Sequence, residues 1–456
     1  MLIFEIGNLY TKVSGPDHEI HLLRNILSCY VPGYQHTRAY KQGRWNGKAY
    51  FVTKTGTLPT GLLPYAIKKL PLLIEYRTVD KRKVPPLKVL PPFLHGITLR
   101  PYQQRAISIA CSKKRGVIQA PAGSGKTEVA IGIISSLSYP KTLYLVHQRG
   151  LMHQTAERIE RRLRCEPGII GDGIYRQRRI TVATIQALWH RMKDPRTALL
   201  LRDTQLLIID ECHHASATTW YRIAMKTHAA FRFGLSATPM VANSLRNMKL
   251  AAATGPIIVR ISEEKLAEHG YLCLPTVRII TVSSPLLPPH ISYPVAYERG
   301  ILKNPVRNVM IEDIARKLAS EQRTVLILVE MIDHGKKLAE SLNAPFLTGK
   351  EPQAVRKKTI ESLSKRETSM VIATKIFDEG IDVPIIDAVI LAGGGKSYVK
   401  CVQRIGRTMR TGKDKKNPVV IDFLDKCHPY LKRHSLERIN LYKNKNYPIF
   451  FVNDTT

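Results

Sequence analysis

From about Leu99 onward the chain alternates short, continuously apolar runs with longer amphipathic stretches. An apolar run of four or five residues between helical segments is what a strand buried on both faces requires. Gly116–Ala120, Thr142–Val146 and Leu206–Ile209 form a first series. Val325–Val329, Met370–Ala373, Ala388–Leu391 and Val419–Ile421 form a second. Two series predict two α/β lobes with parallel, doubly wound sheets, joined somewhere between Gly255-Pro256 and Pro275. The first ninety or so residues differ. They hold Gly-Pro and Pro-Gly turns, short strand-like runs and a basic, aromatic segment from Tyr40 to Lys48. The proline-dense stretch Val84–Pro92 then breaks helices and removes ladder donors, which predicts a linker. The expected plan is a small α+β N-terminal domain over 1–90, a first lobe over 91–255 and a second over 256–456. A length of 456 residues accommodates about three such domains.

Charge changes the picture most. The chain carries 70 Lys and Arg against 36 Asp and Glu, a formal net charge of +34. Such a surface concentrates polyanions, and each neutralised phosphate releases counterions, so nucleic acid is the expected partner. Charge alone leaves open a basic protein with no specific partner. The basic residues are spread along the chain rather than gathered on one amphipathic helix, which argues against a membrane surface. No apolar stretch reaches about 18 residues, and an acid at Glu5 interrupts the N-terminal apolar run. Seven dispersed cysteines with no C-x-x-C pair read as reduced intracellular thiols. The expected location is the cytoplasm, or the host cytoplasm for a viral protein.

Two segments carry chemistry. Ala120-Pro121-Ala122-Gly123-Ser124-Gly125-Lys126-Thr127 follows a predicted strand and opens a helix. Glycines there turn successive backbone N–H groups toward phosphate oxygens. Lys126 adds charge for the β and γ phosphates of ATP, and the Thr127 hydroxyl suits Mg2+. The general pattern begins with Gly, and Ala120 takes that place. Asp210-Glu211-Cys212-His213-His214 ends the Leu206–Ile209 run. Asp210 is placed to hold the magnesium, and Glu211 to accept a proton from attacking water. A zinc site at Cys212, His213 and His214 fails on spacing, because consecutive strand residues point to opposite faces.

A phosphate loop followed by Asp-Glu-x-His resembles the DExH group of superfamily 2 helicases, and further segments follow in that family's order. Leu99-Arg100-Pro101-Tyr102-Gln103 resembles the adenine-recognition segment, with Gln103 on the base edge. Ser236-Ala237-Thr238-Pro239 resembles the motif that, with His213, couples hydrolysis to lobe movement. Residues 373–382 resemble the fifth motif, which implies nucleotide contacts for Gly380 and Asp382. Residues 403–410 resemble the sixth. Arg407 and Arg410, three apart, share a helix face and are expected to reach the γ-phosphate as arginine fingers, with Gln403 positioning water or phosphate. The resemblance covers about Leu99 to Asp425 and implies two tandem RecA-like lobes.

The resemblance also implies a strand of nucleic acid crossing both lobes. Val146–Arg149, with His147 and Arg149, resembles one backbone-contact motif. Val182–Gln186, with Thr184 and Gln186, resembles another. Thr374 and Lys375 take the equivalent part in the second lobe. Thr184 also reads as a plain β-former. The basic clusters Lys113-Lys114-Arg115, Arg161–Arg164 and Tyr175–Arg179 add cationic surface. Gly43–Lys48, Leu58–Leu63 and Ile67–Lys69 resemble the front domain of phage UvsW-type helicases, which implies a monomeric motor on branched or forked DNA with a single-stranded tracking strand and 3′-to-5′ movement. Arg44, Trp45 and Lys48 are the candidate contacts of this domain, with Trp45 either stacked on a base or in the core. An irregular segment, Pro285–Asn304, is a candidate wedge or a structural loop. Alternatives are an RNA helicase, the motor of a restriction or repair complex, and a non-catalytic clamp that binds ATP without using it.

Overall fold

The computed structural model describes residues 1–121, 123–240, 244–271, 274–374, 386–395 and 417–452. The chain divides into two compact units, the first covering residues 1–121 and 125–261 and the second residues 123–124 and 262–452.

The first unit holds an eight-stranded sheet. Its order is Ile174–Arg176, Gly168–Gly171, Ile180–Thr184, Thr142–Val146, Leu206–Asp210, Phe231–Ser236, Arg115–Gln119 and Ile257–Arg260. All neighbours run parallel except the first pair. Ile118, Tyr144, Val182, Ile208 and Phe233 fill one face and Val117, Leu145, Ala183 and Ile209 the other. Burial on both faces explains why these strands read as unbroken apolar runs. The unit boundary follows Ile261, so Ile257–Arg260 belongs to the first sheet, beyond the expected boundary at 255/256.

Phe231–Ser236 is a central strand despite Arg232. That guanidinium is fully buried and donates to the carbonyls of Ala253, Thr227 and Ala224. Burial lowers its pKa to about 10. Arg115 is likewise 7% exposed, donating from Nη2 to Asn8 O at 2.7 Å. The expected basic surface cluster at 113–115 therefore loses its third cation to the interior.

The N-terminal residues form a four-stranded sheet, ordered Thr57–Pro59, Tyr10–Ser14, Leu2–Ile6 and Tyr76–Asp80, and a separate hairpin of Ser28–Tyr30 with Lys48–Tyr50. Leu2, Phe4, Val13, Leu23 and Leu58 pack in one cluster with Met248 and Ala252 of the helix Ser244–Thr254. This small domain completes its core on the first lobe. The expected linker is a strap rather than a free spacer. Leu90 N donates to Ser136 O at 2.8 Å and Ser138 Oγ to Lys88 O at 2.8 Å, while Val84 and Leu87 pack on the lobe's core.

The second unit holds a seven-stranded, wholly parallel sheet. Its order is Phe346–Leu347, Met370–Ala373, Val325–Leu328, Ala388–Leu391, Val419–Asp425, Thr276–Val282 and Ile449–Val452. Two buried ion pairs tie helices to it: Arg307 Nε to Asp425 Oδ1 at 2.8 Å, and Arg438 Nε to Asp422 Oδ2 at 2.9 Å. Pro285–Asn304 contains the helix Tyr293–Tyr297 and a wider turn over Glu298–Leu302. Among the described residues no helix is long and apolar enough to cross a membrane.

Candidate functional site

Three adjacent strands deliver the predicted motifs to one edge of the first sheet. Arg115–Gln119 pairs with Phe231–Ser236, which pairs with Leu206–Asp210. All three run parallel, so their C-terminal ends meet at the same edge, where open α/β sheets bind ligands. The phosphate loop, Asp210–His213 and Ser236–Thr238 all leave from that edge.

The loop after Gln119 is built to present backbone N–H groups. Gly123 and Gly125 have φ of 79° and 76°, the left-handed region that glycine adopts without strain. Gly125 caps the helix Lys126–Ser136, whose N-terminal N–H groups and dipole favour an anion. Lys126 Nζ donates to Ala120 O at 3.1 Å and Pro121 O at 3.2 Å, which holds the ammonium at the loop. Ala122 lies outside the described residues. Gln103 opens the preceding helix, where its Oε1 accepts from Arg100 N at 2.9 Å. Its amide lies against Gly125, where a Cβ would meet Nε2 at 2.4 Å. Tyr102 OH lies 3.4 Å from Arg100 Nη1.

At the end of Leu206–Asp210 the chain turns sharply. Glu211 sits at φ 46°, and its N–H donates to Asp210 Oδ1 at 2.9 Å. A non-glycine residue in that region costs about 1–3 kcal/mol, a strain that clusters at active sites. The turn sends Glu211 and His213 to one side: His213 Nδ1 lies 3.4 Å from Glu211 Oε2 and 3.1 Å from Ser236 Oγ. Ser236 Oγ also accepts from Thr238 N at 3.2 Å. Cys212 points the other way into the core, where burial pushes its thiol pKa well up. Tyr144 was not singled out by sequence. It is fully buried on the neighbouring strand, and burial first, then Asp210, raise its pKa, so it stays a neutral hydroxyl beneath this edge. An apolar run offers no signal that one member carries a polar tip toward the site.

Of the expected track residues, Gln186 Nε2 donates to His147 O at 3.0 Å, which joins two of the motifs. The His147 ring lies 5.1 Å from that of His214, and His214 lies 4.2 Å from His213. Arg149 is exposed and pairs with Asp172 at 3.3 Å. Thr184 ends its strand and caps the helix that follows. It is 4% exposed, and its hydroxyl oxygen accepts from Ala187 N as a helix cap, which leaves its O–H as a donor. Arg162 is also engaged, on Glu128 at 3.3 Å and His95 O at 3.0 Å. In the second unit, Thr374 N donates to Leu347 O at 3.1 Å. Lys375, Gly380, Asp382, Gln403, Arg407 and Arg410 lie outside the described residues. In the N-terminal domain Arg44 is exposed, while Trp45 is half-buried and donates its indole N–H to Lys48 O at 2.9 Å.

Comparison with known proteins agrees with this arrangement. A family model described as "Type III restriction enzyme, res subunit" matches residues 96–241, and one described as "Helicase conserved C-terminal domain" matches residues 306–412. A putative DNA 3'-5' helicase Rad25 from Halobacterium salinarum is 30% identical over 347 residues, covering 74% of this chain and 56% of the relative. The chain thus spans about half the length of the first curated relatives it matches. The ATP-dependent DNA helicase uvsW of Enterobacteria phage T4 is 23% identical, covering 97% of this chain and 98% of its own. Among solved structures, the Hef helicase domain of Pyrococcus furiosus aligns with a TM-score of 0.52 and 18% identity over 71% of this chain and 95% of that one, a likeness of fold. With both helicase models matched in tandem and a phage relative aligned along nearly the whole length, the chain belongs to the superfamily 2 helicases.

Proposed function

We propose that the chain is an ATP-driven DNA helicase or translocase that moves 3′ to 5′ and unwinds or branch-migrates forks, junctions and recombination loops. The observation that carries the catalytic part is the meeting of Lys126, Asp210, Glu211, His213 and Ser236 at one sheet edge. In this reading the backbone N–H groups of residues 123–127 and Lys126 hold the phosphates of ATP. Glu211 takes the proton from attacking water. Its neighbour His213 passes the state of the phosphates to Ser236 and Thr238. Asp210 and Thr127 are the hard oxygen donors that fit Mg2+, which supplies charge neutralisation to phosphoryl transfer when bound. Gln403, Arg407 and Arg410 are assigned to the charge that develops on the γ-phosphate, and Gly380 and Asp382 to the nucleotide.

DNA is the assigned polymer because the Rad25 and uvsW relatives, each matched along most of this chain, are named as DNA helicases. His147, Arg149, Thr184, Gln186, Thr374 and Lys375 are assigned to its backbone. One chain carries both lobes, so a monomer suffices for the motor. The unpaired thiols among the described residues fit a reducing cytoplasm. Substitution Glu211→Gln tests the site. ATP binding is expected to remain within about threefold while turnover falls by about 10²-fold or more. Turnover near the wild-type rate would remove Glu211 from the role. A motor of a restriction complex is the second reading, favoured by the description of the family matched at residues 96–241. It predicts equal stimulation by linear and branched duplex.

A further inference from the structure

The hairpin side of the N-terminal domain carries exposed aromatic rings that no core requires. Tyr30 stacks on Tyr34, with ring centroids 4.8 Å apart and planes at 23°. Tyr40 meets Tyr34 edge-on at 4.8 Å. Tyr30 is 52% exposed and Tyr40 37%, with Tyr34 held between them. The backbone braces this ladder. Gly47 has φ 78°, and a Cβ there would come within 2.2 Å of the Tyr34 ring. Stacked rings held against backbone lose little freedom when something binds them.

Charge surrounds the rings on one side of the balance only. Between Ile20 and Ile74 the sequence has eight Lys and Arg and no Asp or Glu. Arg38, Lys41 and Arg44 are exposed. Lys48 Nζ lies 5.2 Å from the Tyr30 ring centroid. Aromatic faces interleaved with cations, without acids, match a polymer of π-faced bases on a phosphate chain. Paired duplex hides those faces, whereas an unpaired strand opens them.

We infer that Tyr30, Tyr34 and Tyr40 form a stacking platform for unpaired bases of single-stranded DNA, with Arg38, Lys41, Arg44 and Lys48 meeting its phosphates. This rests on the reading of the chain as a DNA motor and replaces Trp45 as its stacking residue. The Trp45 indole is anchored to Lys48 O and serves to hold the hairpin.

The test titrates the full chain into fluorescein-labelled oligo(dT) and into a blunt duplex of equal length, at one salt concentration, by anisotropy. Tyr30→Ala and Tyr40→Ala are expected to weaken oligo(dT) binding by roughly five- to a hundredfold each, the range for loss of one stacked base. Duplex binding, which rests on phosphates, changes by less than about twofold. Tyr30→Phe keeps the ring and keeps the affinity. Unchanged oligo(dT) affinity in both alanine variants overturns the platform, as does an equal loss on both DNAs. A wild-type chain whose ATP turnover ignores every DNA would instead overturn the parent reading.

Discussion

His213 Nδ1 lies 3.1 Å from Ser236 Oγ, which joins the ends of two neighbouring strands of the first sheet. His213 also lies 3.4 Å from Glu211, and Ser236 accepts from Thr238 N. One imidazole and one hydroxyl thus join the carboxylate to the segment leaving the next strand.

Ser236→Ala removes that hydroxyl while leaving Lys126, Asp210 and Glu211 in place. ATP turnover is expected to stay within about threefold. Strand separation per ATP consumed is expected to fall by about 5- to 150-fold, the span of a 1–3 kcal/mol coupling. Parallel ATPase and unwinding assays on one forked DNA read the ratio. An unchanged ratio means that coupling runs elsewhere.

His334 makes stability depend on pH. It is 2% exposed, donates from Nε2 to Asn308 Oδ1 at 2.9 Å, and burial lowers its pKa from 6.5 to about 3. Below 6.5 the unfolded chain takes up a proton that the folded chain refuses. The contribution is full above about pH 6.5 and is lost progressively as pH falls toward 3. At pH 5 the loss amounts to about 2 kcal/mol. His334→Gln keeps an N–H donor and does not titrate. Its urea unfolding at pH 7 and pH 5 should differ by about 2 kcal/mol less than that of the wild type.

Arg438 and Asp422 are each about 1% exposed as side chains, and Tyr442 OH donates to Asp422 Oδ2 at 2.7 Å. Arg438→Met leaves the carboxylate buried with its cation gone, at a cost of about 3–5 kcal/mol. Adding Asp422→Leu removes the orphaned charge and should recover part of the loss in the same unfolding measurement.

Much of the fold was legible because parallel strands buried on both faces write themselves as apolar runs. Thr142–Val146, Met370–Ala373 and Ala388–Leu391 were bounded to the residue. Phe231–Ser236 and Thr276–Val282 were not, since Arg232 and Arg278 interrupt their patterns. The carbonyls of Ala224, Thr227 and Ala253 that satisfy Arg232 come from tertiary structure. The same reason hid the end of the first lobe: Ile257–Arg260 is assigned by its pairing with Arg115–Gln119, far away in sequence. At the candidate site, the glycines and acids of the phosphate loop and of Asp210-Glu211 are local signals and were read directly. The cap at Thr184 was not legible, because a hydroxyl that caps a helix and one that meets a phosphate look alike in sequence. The tyrosine ladder was missed because Tyr30, Tyr34 and Tyr40 meet only once the hairpin has closed over Gly47.

The most direct test of the proposed function is the steady-state ATPase rate with single-stranded DNA, linear duplex, a forked or four-way junction, and RNA, at equal nucleotide content. The proposed function predicts strong stimulation by DNA, greatest with the branched forms. Equal or greater stimulation by RNA would contradict it.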